Sequence, residues 1–116
     1  LLKSRLRREP FAPPTLALLA EEFHRSPRDI TQVLETLARR DEVVRVDRDL
    51  WFDTSAVNSA RHALHAMLTT VGEVTLASFR DRMSCGRRNA QALLELFDRE
   101  GLTLRKGDVR VARRRR

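Results

Sequence analysis

Several residue types are scarce in this sequence of 116 residues, and each scarcity excludes a kind of protein or site. A single cysteine, Cys85, excludes an internal disulfide and a cysteine-based zinc site. Tyrosine is absent and aromatic residues make up only 5%, so no platform of stacked rings for nucleobases is expected. No apolar run approaches the ~18 residues that a membrane-spanning helix needs. We therefore expect no membrane partner.

Catalytic sequence patterns are also missing. There is no phosphate-binding G-x-x-x-x-G-K-[ST] loop, no G-x-S-x-G and no H-E-x-x-H. The histidines His24, His62 and His65 do not stand at metal-ligand spacing with carboxylates or cysteine. We therefore expect a binding module rather than an enzyme, with no metal or cofactor in this chain. Because the first residue is Leu1 and not Met, we expect the chain to be a fragment of a longer protein.

Positive charge is concentrated in the second half of the chain. The net charge is +7, yet residues 1–56 carry ten basic and ten acidic residues, whereas residues 57–116 carry thirteen and six. This asymmetry indicates that the second half meets a polyanion. We expect the terminal arginine run, residues 113–116, to be a disordered arm that adds non-specific attraction.

The sequence repeats itself with an offset of 60 residues. The triplet Thr-Leu-Ala at residues 15–17 recurs at residues 75–77, and an apolar quartet with i, i+3, i+4, i+7 spacing follows in each copy. That spacing is typical of the buried stripe of an amphipathic helix. The predicted stripes are Ile30, Val33, Leu34 and Leu37 in the first copy, and Ala90, Leu93, Leu94 and Phe97 in the second.

Each copy predicts three helices. The first helices are predicted at residues 1–9 and 55–70, and the second helices begin near Pro14 and Thr75. A turn and a third helix follow, and in the first copy Ser26 is well suited to cap that helix. The helical stripes described above belong to these third helices.

Each copy then predicts a β-hairpin, the wing. The strands are predicted at residues 43–46 and 50–52, and at residues 103–105 and 109–112. Helix, helix, turn, helix and hairpin is the order of a winged helix-turn-helix. The predicted fold is mostly α with small β-hairpin wings, in two tandem winged-helix domains. Their predicted bounds are residues 1–54 and 55–112, followed by the basic tail at 113–116.

The third helix of the second copy carries charges that oppose its dipole. Arg87 and Arg88 stand in its first turn, where a helix favours anions, and Glu95 and Asp98 stand toward its end. Each such charge costs roughly 0.3–1 kcal/mol at an exposed site, so the arginine pair indicates a function. A phosphate backbone at this helix end would meet guanidinium and spare N–H groups together. The candidate nucleic-acid-binding residues here and on the wing are Arg80, Arg82, Arg87, Arg88, Asn89, Gln91, Arg105, Lys106 and Arg110.

Charge and fold alone leave the kind of polymer open. A DNA-reading winged helix lays its third helix in the major groove, whereas the deep, narrow groove of an RNA helix directs proteins to loops, bulges and backbone shape. Three hypotheses remain: an RNA-hairpin-binding module, a DNA-binding transcription regulator, and a protein-interaction module whose charge only aids solubility.

The amino-acid sequence of the second copy resembles that of a known protein family. Residues 74–111, VTLASFRDRMSCGRRNAQALLELFDREGLTLRKGDVRV, resemble the last winged-helix domain of the bacterial selenocysteine-specific elongation factor. The most specific part of the shared pattern is the run D-R-E-G-x-T-x-R-x-G-D. The first copy resembles the preceding domain of the same factor. Cys85 and Gly86 depart from the pattern, since they replace a hydroxyl-bearing lead into the basic turn and remove a helix cap.

The resemblance implies the function of a whole factor. It implies a cytoplasmic GTPase that delivers selenocysteinyl-tRNA to the ribosome at UGA codons, with its GTP-binding and tRNA-binding domains outside this chain. It also implies that the winged-helix pair binds an mRNA stem-loop, the selenocysteine insertion element, chiefly through the last domain. The first domain would then orient the second, and we expect the protein to be a monomer.

Overall fold

The structure, a computed structural model, describes residues 1–113, and residues 114–116 of the predicted basic tail lie outside the described residues. The described chain forms six helices and five short strands. The helices are α1 (Leu2–Arg8), α2 (Leu16–Phe23), α3 (Pro27–Arg39), α4 (Thr54–Val71), α5 (Leu76–Met83) and α6 (Arg87–Arg99). The strands are β1 (Val43–Asp47), β2 (Leu50–Asp53), β3 (Glu73–Thr75), β4 (Thr103–Lys106) and β5 (Val109–Ala112). The predicted fold class, mostly α with small β-hairpin wings, is confirmed.

The chain divides into two compact units, Leu1–Val57 and Asn58–Arg116. The division falls inside α4, slightly later than the boundary predicted after residue 54. In the part of the chain that the structure describes, no helix is long and apolar enough to cross a membrane.

An apolar cluster lies between the helices and the hairpin of the first unit. Its three helices pack with the antiparallel hairpin of β1 and β2, which contains a bulge between Arg45 and Asp47. The buried members of the cluster are Leu2, Leu6, Leu19, Ala20, Ile30, Leu34, Val43 and Trp51.

One sequence prediction for this unit needs correction, and a second is refined. Val33 was predicted in the buried stripe of α3, but its side chain is 48% exposed, because it stands at the edge of the stripe whose centre is Ile30 and Leu34. The second helix begins at Leu16, two residues after Pro14, because the side chain of Thr15 accepts a hydrogen bond from the N–H of Leu18 and caps the helix there.

The second unit has the same helices and hairpin, with one additional strand. α5 and α6 pack together, and Phe79, Leu93 and Phe97 are fully buried. β3 pairs antiparallel with β5, which also pairs with β4, so the sheet has the order β3-β5-β4. The sequence did not predict β3, because three residues are too few to show an alternating pattern.

Candidate nucleic-acid interface

Side chains from three elements of the second unit line one groove. The groove lies between the start of α5, the first half of α6 and the hairpin of β4 and β5, and its volume is about 410 Å³. The lining residues are Thr75, Leu76, Ala77, Arg80, Arg87, Gln91, Arg105, Asp108 and Arg110. Four of them are arginines and only Asp108 is acidic, so the groove is suited to an anionic ligand.

The N-terminal end of α6 contributes two arginines to this region. Gly86 is the N-cap residue and makes no side-chain cap hydrogen bond, and the first turn contains no acidic residue. Arg87 and Arg88 are both exposed in that turn. The first N–H groups of a helix have no acceptor within the helix, so this end combines backbone donors with two guanidinium groups.

The equivalent end of α3 in the first unit is arranged differently. There Ser26 Oγ accepts the N–H of Asp29 over 3.1 Å, and the carboxylate of Asp29 stands in the first turn as the helix dipole favours. The same fold therefore does not require a pair of cations at this position. Arg28 stands in the first turn of α3 as Arg88 does in α6, but Pro27 occupies the position of Arg87, so the arginine pair belongs to the second unit alone.

The wing presents its basic residues on two different faces. Arg105 lines the groove, and its Nε donates to the carbonyl oxygen of Gly107 over 2.9 Å across the hairpin turn. Gly107 has a φ of +62°, which glycine adopts at little cost in such a turn. Because side chains alternate along a strand, the exposed Lys106 points to the opposite face from Arg105. The structure thus separates two neighbouring residues that the sequence placed in one surface.

Arg110 is not the exposed contact that the sequence predicted. Its side chain is 4% exposed, and its Nε and Nη2 donate to Oδ2 of Asp98 over 3.3 Å and 3.1 Å. Arg110 faces inward because it alternates with outward-facing neighbours on β5 and meets the carboxylate at the end of α6. It still contributes to the floor of the groove, but as a buried and paired cation.

The remaining predicted residues lie partly outside the groove. Arg80 lines it, with Nη2 at 3.4 Å from Oδ1 of Asp81, whereas Arg82 is exposed about 200° further around α5. Gln91 lines the groove and its Nε2 lies 3.5 Å from Oε2 of Glu95. Of the nine predicted residues, the groove brings together Arg80, Arg87, Gln91, Arg105 and Arg110, while Arg82, Arg88, Asn89 and Lys106 are not among its lining residues.

Several polar residues of this region were missed from the sequence. Thr75 caps α5 in a capping box with Ser78, and the T-x-x-S spacing was the available signal. Asp108 was not among the predicted residues, and its carboxylate is the one acidic group in the lining of the groove. Asp98 was read as a surface charge, but its carboxylate accepts hydrogen bonds from Arg110 and from Oγ1 of Thr103, the latter over 2.6 Å.

Cys85 lies in the turn before α6 and is half-buried. Burial raises the pKa of its thiol, and the opposing charge of Arg80 does not outweigh this effect. The thiol therefore stays protonated near neutral pH, which fits a small packing residue. Within residues 1–113 no group of histidine, cysteine and carboxylate side chains is arranged to hold a metal ion.

The fold and the basic groove define a winged-helix protein with a candidate nucleic-acid-binding surface. Residues 66–112 match the family model described as elongation factor SelB, winged helix. Selenocysteine-specific elongation factors from Desulfomicrobium baculatum and Escherichia coli K12 are each 26% identical, over 89% and 82% of this chain. These matches confirm the resemblance of the chain to the winged-helix pair of the bacterial selenocysteine-specific elongation factor. The chain spans only 16% of the length of these relatives.

Solved structures show the same fold. The mRNA-binding domain of elongation factor SelB from E. coli, in complex with SECIS RNA, matches with a TM-score of 0.81 at 22% identity, over 97% of each chain. A bacterial selenocysteine-specific elongation factor matches with a TM-score of 0.63 at 18% identity, over 97% of this chain and 20% of the other. At these identities the structural likeness establishes the fold.

Proposed function

We propose that this chain is the mRNA-hairpin-binding module of a selenocysteine-specific elongation factor. The observation that carries the proposal is the groove of the second unit, where four arginines converge beside a helix end without a side-chain cap. The groove lies within the segment that matches the SelB winged helix. In support, the structurally similar E. coli domain is described in complex with SECIS RNA.

The proposal gives separate roles to the residues around the groove. Arg80, Arg87 and Arg105 bind phosphates of the hairpin within the groove, because guanidinium groups pair strongly with phosphate oxygens. Gln91 contacts an exposed base edge. Outside the groove, the contact is extended by Arg82, Arg88, Asn89 and Lys106.

The first unit has a different role in this proposal. Its basic and acidic residues balance in number, and the first turn of α3 holds a single arginine, Arg28, between Pro27 and Asp29 instead of an arginine pair. The first domain therefore orients the second domain without gripping the RNA itself. The domains extend over residues 1–54 and 55–112, with the tail at 113–116 as a non-specific basic arm.

The activity of the whole factor lies outside this chain. We propose that the full-length protein is a cytoplasmic, monomeric GTPase that carries selenocysteinyl-tRNA to the ribosome at UGA codons. This chain would contribute no catalytic residue and bind no GTP. It would hold the factor beside the codon through the mRNA stem-loop.

A direct titration tests the proposal against its alternatives. The chain would be titrated against selenoprotein mRNA hairpins, an RNA duplex without a loop, and a DNA duplex of the same length, at one fixed salt concentration. We expect the tightest binding to a hairpin. Tighter binding to the DNA duplex would favour the transcription-regulator hypothesis, which the comparisons do not support. Absence of binding to every nucleic acid would favour the protein-interaction hypothesis.

A further inference from the structure

A polar network of two buried side chains and one carboxylate that is 25% exposed joins the end of α6 to both strands of the second wing. Asp98 on α6 accepts hydrogen bonds from Oγ1 of Thr103 on β4 over 2.6 Å and from Nη2 of Arg110 on β5 over 3.1 Å. Thr103 and Arg110 are 2% and 4% exposed. We call these three residues the wing lock. One carboxylate thus fixes both strands of the hairpin to the helix that carries the arginine pair.

The first unit shows how the same fold closes without such a network. Strand pairing identifies the equivalent positions, since Arg45 faces Trp51 in the first hairpin as Arg105 faces Arg110 in the second. Trp51 therefore takes the place of Arg110.

The other two lock positions are also apolar in the first unit. The offset of 60 residues places Ala38 at the position of Asp98 and Val43 at that of Thr103. Val43 and Trp51 are buried in the core cluster, and Ala38 packs against it. Three apolar side chains are therefore enough to dock this hairpin on its helix.

Stability alone does not account for the wing lock. A buried ion pair carries a large desolvation cost, so replacing it by well-packed apolar residues is often neutral or stabilising. The pair does supply direction, because Nε and Nη2 of Arg110 both donate to Oδ2 of Asp98 and these two bonds hold the guanidinium in one orientation. The wing lock holds Arg110 in the lining of the groove. Arg110 on β5 lies opposite Arg105 on β4, so the lock also fixes the position of the strand that carries Arg105.

We infer that Asp98, Thr103 and Arg110 are positioning residues that hold the wing against α6 so that Arg105 and Arg87 line one groove and grip the RNA together. This inference rests on the proposed function, because its measured consequence is affinity for the mRNA hairpin. It makes Asp98, an acidic residue, a requirement for binding an anion.

The sharpest test removes the charge of Asp98 and compares it with a matched neighbour. Asp98→Asn and Glu95→Gln each remove one negative charge from α6, but only the first touches the wing lock. If charge alone governed binding, both variants would bind the hairpin at least as tightly as the parent. We expect Glu95→Gln to do so, and Asp98→Asn to bind roughly 10- to 100-fold more weakly, since a charge-assisted pair is lost. Equal or tighter binding by Asp98→Asn would overturn the inference.

A second variant separates positioning from folding. The triple change Asp98→Ala, Thr103→Val and Arg110→Trp installs the residues of the first unit and leaves the net charge unchanged. We expect it to keep the helical circular dichroism and thermal midpoint of the parent while losing hairpin affinity by at least about tenfold. Parent-like affinity in this folded variant would show that the lock is only structural. Failure of the parent itself to bind any hairpin would instead refute the proposed function.

Discussion

Arg7 on α1 donates from Nε to Oδ1 of Asp53 over 3.0 Å, at the junction between β2 and α4. Asp53 is 2% exposed, and its Oδ2 accepts the N–H of Ser55 over 3.1 Å as well as the Ser55 hydroxyl. One carboxylate thus joins the first helix to the start of the fourth. Burial by itself would raise the pKa of Asp53, but the hydrogen bonds from Ser55 and Arg7 outweigh it and lower the pKa.

We expect Asp53 to contribute to the acid resistance of the first unit. Because its pKa is lowered in the folded state, its contribution is fully present above the unfolded value of about 3.9 and is lost as the pH falls through the folded value. Asp53→Asn should reduce the free energy of unfolding near neutral pH by about 1.5–3 kcal/mol. Urea titrations from pH 7 to pH 2 should show the difference from the parent shrinking in acid. Glu35→Gln on the exposed side of α3 is the control and should leave the profile unchanged.

Charge reversal at the start of α6 should separate binding from stability. Arg87→Glu with Arg88→Glu should abolish hairpin binding, because the groove loses a guanidinium and gains repulsion. The same change should stabilise the fold by roughly 0.3–1 kcal/mol per residue, because carboxylates in the first turn suit the helix dipole. The same variant should therefore show weaker binding in a hairpin titration and a higher midpoint in thermal unfolding.

The matched control for that pair lies at the end of α3. Arg39→Glu with Arg40→Glu should leave hairpin affinity nearly intact, and it should lower stability because anions oppose the dipole at a C-terminal end. Equal losses of affinity in the two double variants would contradict the division of roles between the units.

The salt dependence of hairpin binding should report the number of phosphates in contact. If roughly five phosphates are neutralised, log K should fall against log[salt] with a slope of about −3.5 to −4.5. A variant with Arg87 and Arg88 changed to alanine should have a slope shallower by roughly 1.4–1.8. A slope near zero in the parent would rule out phosphate contacts as the main source of affinity.

Gly86 offers a site at which stability can be gained. It is the N-cap residue of α6 with ordinary extended dihedrals, and an added Cβ would meet no heavy atom within 4 Å. Gly86→Ser should supply the missing cap and raise the free energy of unfolding by about 0.5–1 kcal/mol. Ser26→Gly at the equivalent place in the first unit should lower it, because it removes an observed hydrogen bond to Asp29. Denaturant unfolding of the two variants checks both signs.

Sequence patterns predicted the helices well because their signals are local. The apolar quartet of α6 is buried throughout, and Pro27 after the Ser26 cap begins α3 where expected. The prediction that Val33 is buried was wrong, because the apolar period shows which side of a helix is buried but not how wide the buried stripe is. β3 was missed because only its pairing with β5, far along the chain, makes Glu73–Thr75 a strand.

The candidate site was predicted by residue type more readily than by arrangement. The arginine pair lies in the first turn of α6, at an exposed helix end, as the sequence predicted from charges that oppose the helix dipole. Arg110 was misjudged because a basic residue on a short strand is expected to be exposed. Its burial depends on Asp98, which is 12 residues away along the chain.

The sequence by itself determined the order of the elements, the repeat of one unit and the excess of positive charge in the second half. These properties depend on spacing and composition, which are written along the chain. Only the tertiary structure decided which arginines share a groove and which one is drawn inward to a carboxylate. Those outcomes depend on strand alternation and on contacts between a helix end and a hairpin, and linear spacing does not encode the direction in which each side chain points.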